Sequence, residues 1–166
     1  MRKIGAPGNP EYGLGTVIEG GFVELDEARA LESGYRREEL AAAIESERVE
    51  AEGRAALYRS AHPRIPLAGR HVVLVDDGAA TGGTIVAAAH RLRNEGAARI
   101  TIAVGVAPPA TVARFRAVAE RVEVVLVPDP FFAVGEFYSA FEAVGDDEVI
   151  SILERAARFR GTSPSS

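Results

Sequence analysis

The sequence predicts an α/β fold, in which a parallel β-sheet has flanking helices and is preceded by a β-hairpin. Apolar, mostly β-branched runs at 72–75, 99–106 and 122–127 have the composition of strands buried on both faces, as in parallel sheets. Helical patterns at 84–95 and 109–121 separate these runs. Strands and helices that alternate at these lengths form right-handed crossovers, so the three runs are expected in one parallel sheet.

Length and composition indicate one domain and exclude several classes of site. A chain of 166 residues can bury one sizeable core but is too short for two ordinary domains, so we predict a single domain over 1–160 and a disordered tail at 161–166. A net charge of −5 argues against a surface that coats nucleic acid broadly. The absence of cysteine excludes disulfides, thiolate catalysis and cysteine-based metal sites.

The apolar runs are also too short to span a membrane, and the N-terminus lacks the apolar core of a signal peptide. We therefore expect a cytoplasmic protein.

Glycine and proline dominate the start of the chain, ahead of the predicted hairpin. The apolar segments 13–18 and 22–25 flank Gly20 and Gly21, as in two strands joined by a tight turn. The earlier segment 5–10, GAPGNP, has the composition of a mobile loop.

Further helices are predicted before and after the parallel strands along the chain. Asp26 is the expected N-cap of a short helix over 26–33. The segment 36–62 is rich in Ala, Glu and Arg and places a narrow apolar stripe on one helical face, with Gly53 a candidate for a bend or break. A last helix is predicted at 146–158.

The most informative stretch is 72–84, which reads VVLVDDGAATGGT. Asp76 and Asp77 directly follow an apolar strand, so they lie at the carboxyl edge of the sheet, where open α/β sheets bind ligands. The next seven residues are small or hydroxylated, which lets backbone N–H groups approach an anion, and the following helix directs its positive end into the same loop. Two carboxylates would repel a phosphate unless they bound something else, such as sugar hydroxyls or a hydrated Mg²⁺. The combination of carboxylates and a phosphate cradle therefore indicates a phosphorylated sugar as the ligand.

This stretch resembles the phosphoribosyl-diphosphate binding motif of type I phosphoribosyltransferases, with its apolar strand, two acids and Thr-Gly-x-Thr loop. The resemblance, closest to a bacterial subgroup of that family, implies a Rossmann-like fold and Mg²⁺-dependent transfer of ribose 5-phosphate from phosphoribosyl diphosphate to a nitrogenous base. It implies that Asp76 and Asp77 bind the ribose and the metal and act as the catalytic carboxylates. The expected phosphate ligands are Ala79, Ala80, Thr81, Gly82, Gly83 and Thr84.

The resemblance adds candidates at both ends of the domain. In the family, a flexible loop near the position of GAPGNP brings basic residues over the diphosphate, which makes Lys3 a candidate catalytic residue and Arg2 a candidate substrate ligand. The acceptor base is gripped near the loop that follows the third strand, so Phe131 and Phe132 are candidates for stacking on it. The alternative is that these rings form core under that loop. The three histidines, His62, His71 and His90, have no metal-like spacing and are interpreted as structural.

One part of the family pattern is not found. Members usually carry an earlier strand whose loop binds the diphosphate, and no such unit precedes Arg2. We therefore expect an incomplete diphosphate half of the site, impaired turnover, and an open sheet edge that a second subunit covers in a homodimer.

Other function classes fit less well. A nucleotide- or sugar-phosphate-sensing module on the same fold keeps the phosphate site without catalysis and stays an alternative. A receiver domain also gathers acids at strand ends, but it requires a lysine late in the chain, whereas the only lysine is Lys3. Specific nucleic-acid binding would require a localised arginine face. A methyltransferase normally has its glycine loop before the acid.

Overall fold

The computed structural model describes residues 2–61 and 63–160, with 9–11 and 159–160 described by backbone alone. Its strands are β1 (Arg2–Ala6), β2 (Asn9–Ile18), β3 (Phe22–Leu25), β4 (His71–Gly78), β5 (Arg99–Val106) and β6 (Arg121–Leu126). Its helices are α1 (Glu27–Glu32), α2 (Arg37–Ala61), α3 (Gly83–Asn94), α4 (Pro109–Arg116) and α5 (Asp146–Arg160), with a short 3-10 turn at Val134–Phe137.

The strands form two sheets, and the predicted α/β class is confirmed. Strands β4, β5 and β6 make a parallel sheet in that order, and β1, β2 and β3 make an antiparallel one that contains the predicted hairpin. The prediction of a mobile loop at 5–10 is wrong, because this segment forms the end of β1 and a turn into β2. Ala6 pairs with Asn9 around Gly8, whose φ of 71° suits a tight turn. Ile4, 1% exposed, anchors β1 in the core beneath the hairpin.

The helices follow the sequence pattern with two differences. Asp26 caps α1 as predicted, since its Oδ1 accepts a hydrogen bond from the Arg29 N–H at 3.1 Å. Helix α2 continues through Gly53 without a break, and a Cβ atom at Gly53 would meet nothing within 4 Å. Helix α4 ends earlier than predicted, at Arg116, where the N–H groups that follow turn back to the Phe115 carbonyl.

The predicted tail at 161–166 and His62 lie outside the described residues. No helix in the described ranges is long and apolar enough to cross a membrane.

Two separate cores stabilise the two sheets. Helices α3 and α4 cover one face of the parallel sheet, where Ile100, Ile102 and Phe115 are fully buried. A smaller core under the antiparallel sheet contains Leu14 and Ala51, the latter from α2. Small side chains along α3, Ala87 to Ala89, let that helix lie close to the sheet and therefore fix the position of its N-terminus.

In the described part of the chain, the other face of the parallel sheet is open at the two outer strands, β4 and β6. Val75 is 78% exposed on β4 and Val125 is 82% exposed on β6. The prediction that the apolar strands are buried on both faces is therefore wrong for β4 and β6. Because side chains alternate along a strand, only every second residue reaches the layer formed by α3 and α4.

A matched pair of Val→Thr substitutions tests this open face. Val75→Thr should change the free energy of unfolding by less than about 0.5 kcal/mol, because the side chain is already in water. Val104→Thr, at a position 4% exposed, should lower the free energy of unfolding by about 1–3 kcal/mol, because it buries a hydroxyl among apolar side chains. Urea unfolding measures both. An equal loss at the two positions would mean that the open face is covered in solution.

Candidate functional site

The loop at 79–82, which the sequence predicts to bind phosphate, joins the end of β4 to the start of α3. Ala79 is buried, and its N–H donates to the Val106 carbonyl at 2.9 Å, which ties the loop to β5. Gly82 is the N-cap of α3 with φ 71°, and its carbonyl accepts the first helical bond, from Val86. The amide groups of the first turn of α3 have no partner within the helix. The loop therefore presents N–H groups at the positive end of a helix, as an anion site requires.

The two neighbouring glycines of the loop have different surroundings. A Cβ atom on Gly82 would lie 2.5 Å from Phe115 Cε1 and 2.8 Å from Thr111 Cγ2, so α4 packs directly against this residue. A Cβ atom on Gly83 would meet nothing within 4 Å. The loop is thus closed on the α4 side and open on the side of Gly83, where a ligand can approach.

The carboxylates lie inside the end of β4 rather than after it. Strand alternation directs Asp76 toward the face that carries α3 and Asp77 toward the open face, next to Val75. Asp76 Oδ1 accepts a hydrogen bond from the Asp77 N–H at 2.9 Å. Although Asp76 is exposed as a residue, protein atoms around its carboxyl partly desolvate it and raise its pKa, and the Asp77 charge raises it further. The pair can therefore contact a ligand from both sides of one strand end.

The donor set at β4 suits a hard cation shared with a ligand. No group of three or more His, Asp or Glu side chains lies together as a metal site in the ranges that the structure describes. Mg²⁺ commonly binds through one or two carboxylates together with waters and substrate phosphates. Because Asp76 and Asp77 point to opposite faces of β4, either carboxylate could hold such an ion, but only if substrate and solvent supplied the other ligands.

A cavity of about 470 Å³ lies between the loop and the antiparallel sheet. Thr81, Gly83 and Thr84 form its wall on the loop side, and Lys3 lies on the opposite side. The Lys3 side chain lies across β2, where a Cβ atom on Gly13 would come within 2.9 Å of Lys3 Cε, so a larger residue at this position would displace it. The structure thus brings Lys3 and the loop to one cavity.

Not all predicted residues reach this cavity. Neither carboxylate of β4 is part of its lining. Arg2 is directed to α2, where its Nε donates to Glu47 Oε2 at 2.8 Å. Among the histidines, the His71 ring lies 2.8 Å from Thr101 Oγ1, and the His90 ring lies 3.3 Å from a Glu24 oxygen, as expected of structural residues. Arg2 therefore has a structural partner away from the cavity.

The segment after β6 lies against the carboxylate end of β4. The Tyr138 hydroxyl donates to the Asp77 carbonyl at 2.6 Å, and Val134 packs so close to Gly78 that a Cβ atom there would lie 2.6 Å from Val134 Cγ1. Phe131 is half-buried and stacks on Phe137, with ring centroids 5.7 Å apart. Phe132, by contrast, is 77% exposed. One of the two predicted aromatic rings is thus packed into the segment and the other is available to a ligand.

Comparison with known proteins identifies the family. The family model described as "Phosphoribosyl transferase domain" matches residues 31–139, which include β4, the loop, α4 and the segment after β6. This chain belongs to the phosphoribosyl transferase family.

Two relatives illustrate the relationship. A protein of Mycobacterium tuberculosis, named "Putative phosphoribosyl transferase" in strains H37Rv and CDC 1551, is 38% identical over 158 residues. These residues are 95% of this chain but 36% of the relative, so the chain spans about a third of the length of that curated protein. The crystal structure of TT1426 from Thermus thermophilus superposes with a TM-score of 0.71 at 42% identity, covering 93% of this chain and 73% of that one.

The structure also shows two contacts of the loop that sequence reasoning missed. Thr111 Oγ1 donates to the Ala80 carbonyl at 2.5 Å, and Arg114 donates to the Thr81 carbonyl. These side chains come from α4, about thirty residues after the loop, and no local pattern singles them out. The only available signal was that 109–121 is the helix between two strands of the sheet, and such helices pack beside the preceding loop.

Proposed function

We propose that this chain binds phosphoribosyl diphosphate and transfers its ribose 5-phosphate to a nitrogenous base, with release of diphosphate. The observation that supports the proposal is the anion cradle at the N-terminus of α3, placed directly after Asp76 and Asp77 in a member of the phosphoribosyl transferase family. The loop supplies N–H donors and threonine hydroxyls for a phosphate monoester, and the carboxylates accept hydrogen bonds from sugar hydroxyls. A phosphorylated sugar is the ligand that uses both groups.

The chemistry asked of these residues is positioning and electrostatics. Departure of diphosphate leaves positive charge on the sugar carbon and ring oxygen, as at other glycosidic centres, and carboxylates at the strand end stabilise that charge. Mg²⁺ bound by one carboxylate of the Asp76 and Asp77 pair, together with water, would neutralise the leaving diphosphate. Lys3 faces the cavity from the opposite side and adds positive charge near the phosphates. This reaction requires no nucleophilic side chain.

The exposed ring of Phe132 suits the acceptor. It belongs to the segment after β6, in which Val134 and Tyr138 contact Gly78 and the Asp77 carbonyl at the strand end where the sugar would bind. A planar base can stack on such a ring. The packed ring of Phe131 would support the segment instead.

The homodimer stays a prediction, which sedimentation equilibrium would test.

A sugar-phosphate-binding module without turnover is the second candidate. The cavity reaches the loop at Thr81, Gly83 and Thr84 but does not include the two carboxylates. The phosphate half of the site would therefore lie in a cavity, whereas the reacting carbon would lie outside it, at an exposed strand end that water can reach. Such an arrangement favours binding over efficient transfer.

Calorimetric titration separates these functions. Phosphoribosyl diphosphate is titrated into the protein with and without Mg²⁺, with ribose 5-phosphate as the control ligand. The transferase proposal expects both ligands to bind, and Mg²⁺ to strengthen only the diphosphate, because the ion is shared with it. Binding of ribose 5-phosphate without an effect of Mg²⁺ on the diphosphate supports the binding module. Absence of binding by both ligands contradicts both functions.

A further inference from the structure

We infer that α4 positions the phosphate loop, with Thr111 and Arg114 holding two loop carbonyls so that the N–H groups of Thr81 and Gly82 face the bound phosphate. This inference rests on the proposed phosphate site and names two residues that would position its loop, of which Arg114 also lines the cavity. Neither side chain needs to contact the ligand for this role. Their effect is on the direction of the peptide groups that do.

The argument begins with the two hydrogen bonds. Thr111 Oγ1 donates to the Ala80 carbonyl at 2.5 Å, and Arg114 Nη1 donates to the Thr81 carbonyl. The only cis peptide bond in the described ranges is Asp129–Pro130, so the peptide groups that join residues 80 to 82 are trans. In a trans peptide the carbonyl and the next N–H point in opposite directions. Holding both carbonyls toward α4 therefore turns both N–H groups away from it.

The third contact continues the same pattern. Gly82 has left-handed backbone and packs against the Phe115 ring, so that a Cβ atom would lie 2.5 Å from Phe115 Cε1. Arg114 and Phe115 follow Thr111 by three and four residues, which places all three on one helical face. That face therefore contacts three consecutive loop residues. A left-handed residue followed by a helical one brings successive N–H groups together in a concave anion site.

The burial of Thr111 separates this role from ordinary packing. The residue is 3% exposed, and apolar neighbours such as Val112 and Phe115 surround it in the α3–α4 core. Valine has nearly the same shape and would fill the same space, but it cannot donate to the Ala80 carbonyl. Without that bond, the peptide between Ala80 and Thr81 can rotate and turn its carbonyl oxygen toward the anion, which repels it. The hydroxyl, and not the volume, is what phosphate binding needs.

The test compares Thr111→Val with Thr111→Ser. Ribose 5-phosphate and inorganic phosphate are titrated by calorimetry, and thermal unfolding reports stability. Thr111→Val should weaken both ligands about fivefold, the effect of one hydrogen bond of ordinary strength, and Thr111→Ser, which keeps the hydroxyl, should stay within about twofold of wild type. Amide NMR of the free protein should show displaced Thr81 signals in Thr111→Val and near-native ones in Thr111→Ser.

Two results would overturn the inference. One is wild-type affinity and an unchanged Thr81 amide signal in Thr111→Val, and the other is an equal loss in the valine and serine variants, which would indicate packing alone. If Thr111→Val does not fold, Arg114→Leu provides the second test, because Arg114 is exposed. The inference expects a displaced Gly82 amide signal in this variant. An unchanged signal would count against it. If the wild type binds neither phosphate ligand, the proposed function fails, and the ligand-free NMR comparison still decides the loop geometry.

Discussion

Replacing Asp76 by asparagine should weaken ribose 5-phosphate binding by about 10- to 100-fold, the loss expected when a charged hydrogen-bond acceptor is removed. The same variant should be as stable as wild type at neutral pH, or more stable. Partial desolvation and the neighbouring Asp77 charge raise the pKa of Asp76, so folding disfavours its ionised form. A carboxylate at a strand end whose ionised form is disfavoured by folding is typical of a functional site.

The sign of the pH dependence follows from that raised pKa. The folded state holds the Asp76 proton more tightly than the unfolded state, so wild-type stability falls as pH rises from the unfolded pKa through the folded one. Asparagine does not titrate, and the stability advantage of Asp76→Asn should therefore be absent at acidic pH and fully developed at neutral pH. Urea unfolding across that range measures the difference.

Asp147→Asn is the matched control, since Asp147 is an exposed carboxylate in the first turn of α5, away from β4. It should leave ribose 5-phosphate binding unchanged. The double variant Asp76→Asn with Asp77→Asn extends the test to both carboxylates and should remove measurable binding. Retained affinity in the double variant would contradict the assignment of the sugar site to β4.

The parts of the fold that the sequence predicted well are those fixed by local chemistry. Strand β5 is apolar at every position that reaches a helix layer, and Gly20 and Gly21 both have positive φ in the turn that they were expected to form. Asp26 caps α1 through its own side chain. In each case the determining contact lies within a few residues along the chain, so a local pattern contains the necessary information.

The parts that were missed depend on contacts between distant segments. The valines of β4 look equally apolar in the sequence, and only the position of α3 and α4 decides that Val75 is exposed while Leu74 packs inward. Strand β1 forms because Ile4 reaches a core shared with α2, which outweighs the loop-like composition around it. The contact of Thr111 with Ala80 requires α4 to lie beside the loop. Tertiary packing, rather than local propensity, decides each of these features.

The two adjacent loop glycines should respond in opposite ways to alanine. Gly82→Ala should lower the free energy of unfolding by about 2–5 kcal/mol, the sum of a left-handed alanine and a forced shift of packed core atoms. Its Cβ would lie 2.5 Å from Phe115 Cε1 and 2.8 Å from Thr111 Cγ2, where neither side chain has room to move away. Gly83→Ala should be neutral or stabilising by up to about 1 kcal/mol, because alanine is the better helix residue.

Ligand binding separates the two glycines further. Gly83 borders the cavity and has open space where its Cβ would be. The methyl group of Gly83→Ala would therefore occupy the space through which a phosphate approaches the first turn of α3. This variant should fold fully but bind ribose 5-phosphate more weakly. Urea unfolding and calorimetry on both variants measure the two effects independently. Unchanged affinity in Gly83→Ala would place the phosphate elsewhere on the loop. Wild-type stability in Gly82→Ala would mean that α4 does not pack against the loop as closely as Phe115 and Thr111 indicate. The geometry of the phosphate loop, and the role of α4 in positioning that loop, would then both be wrong.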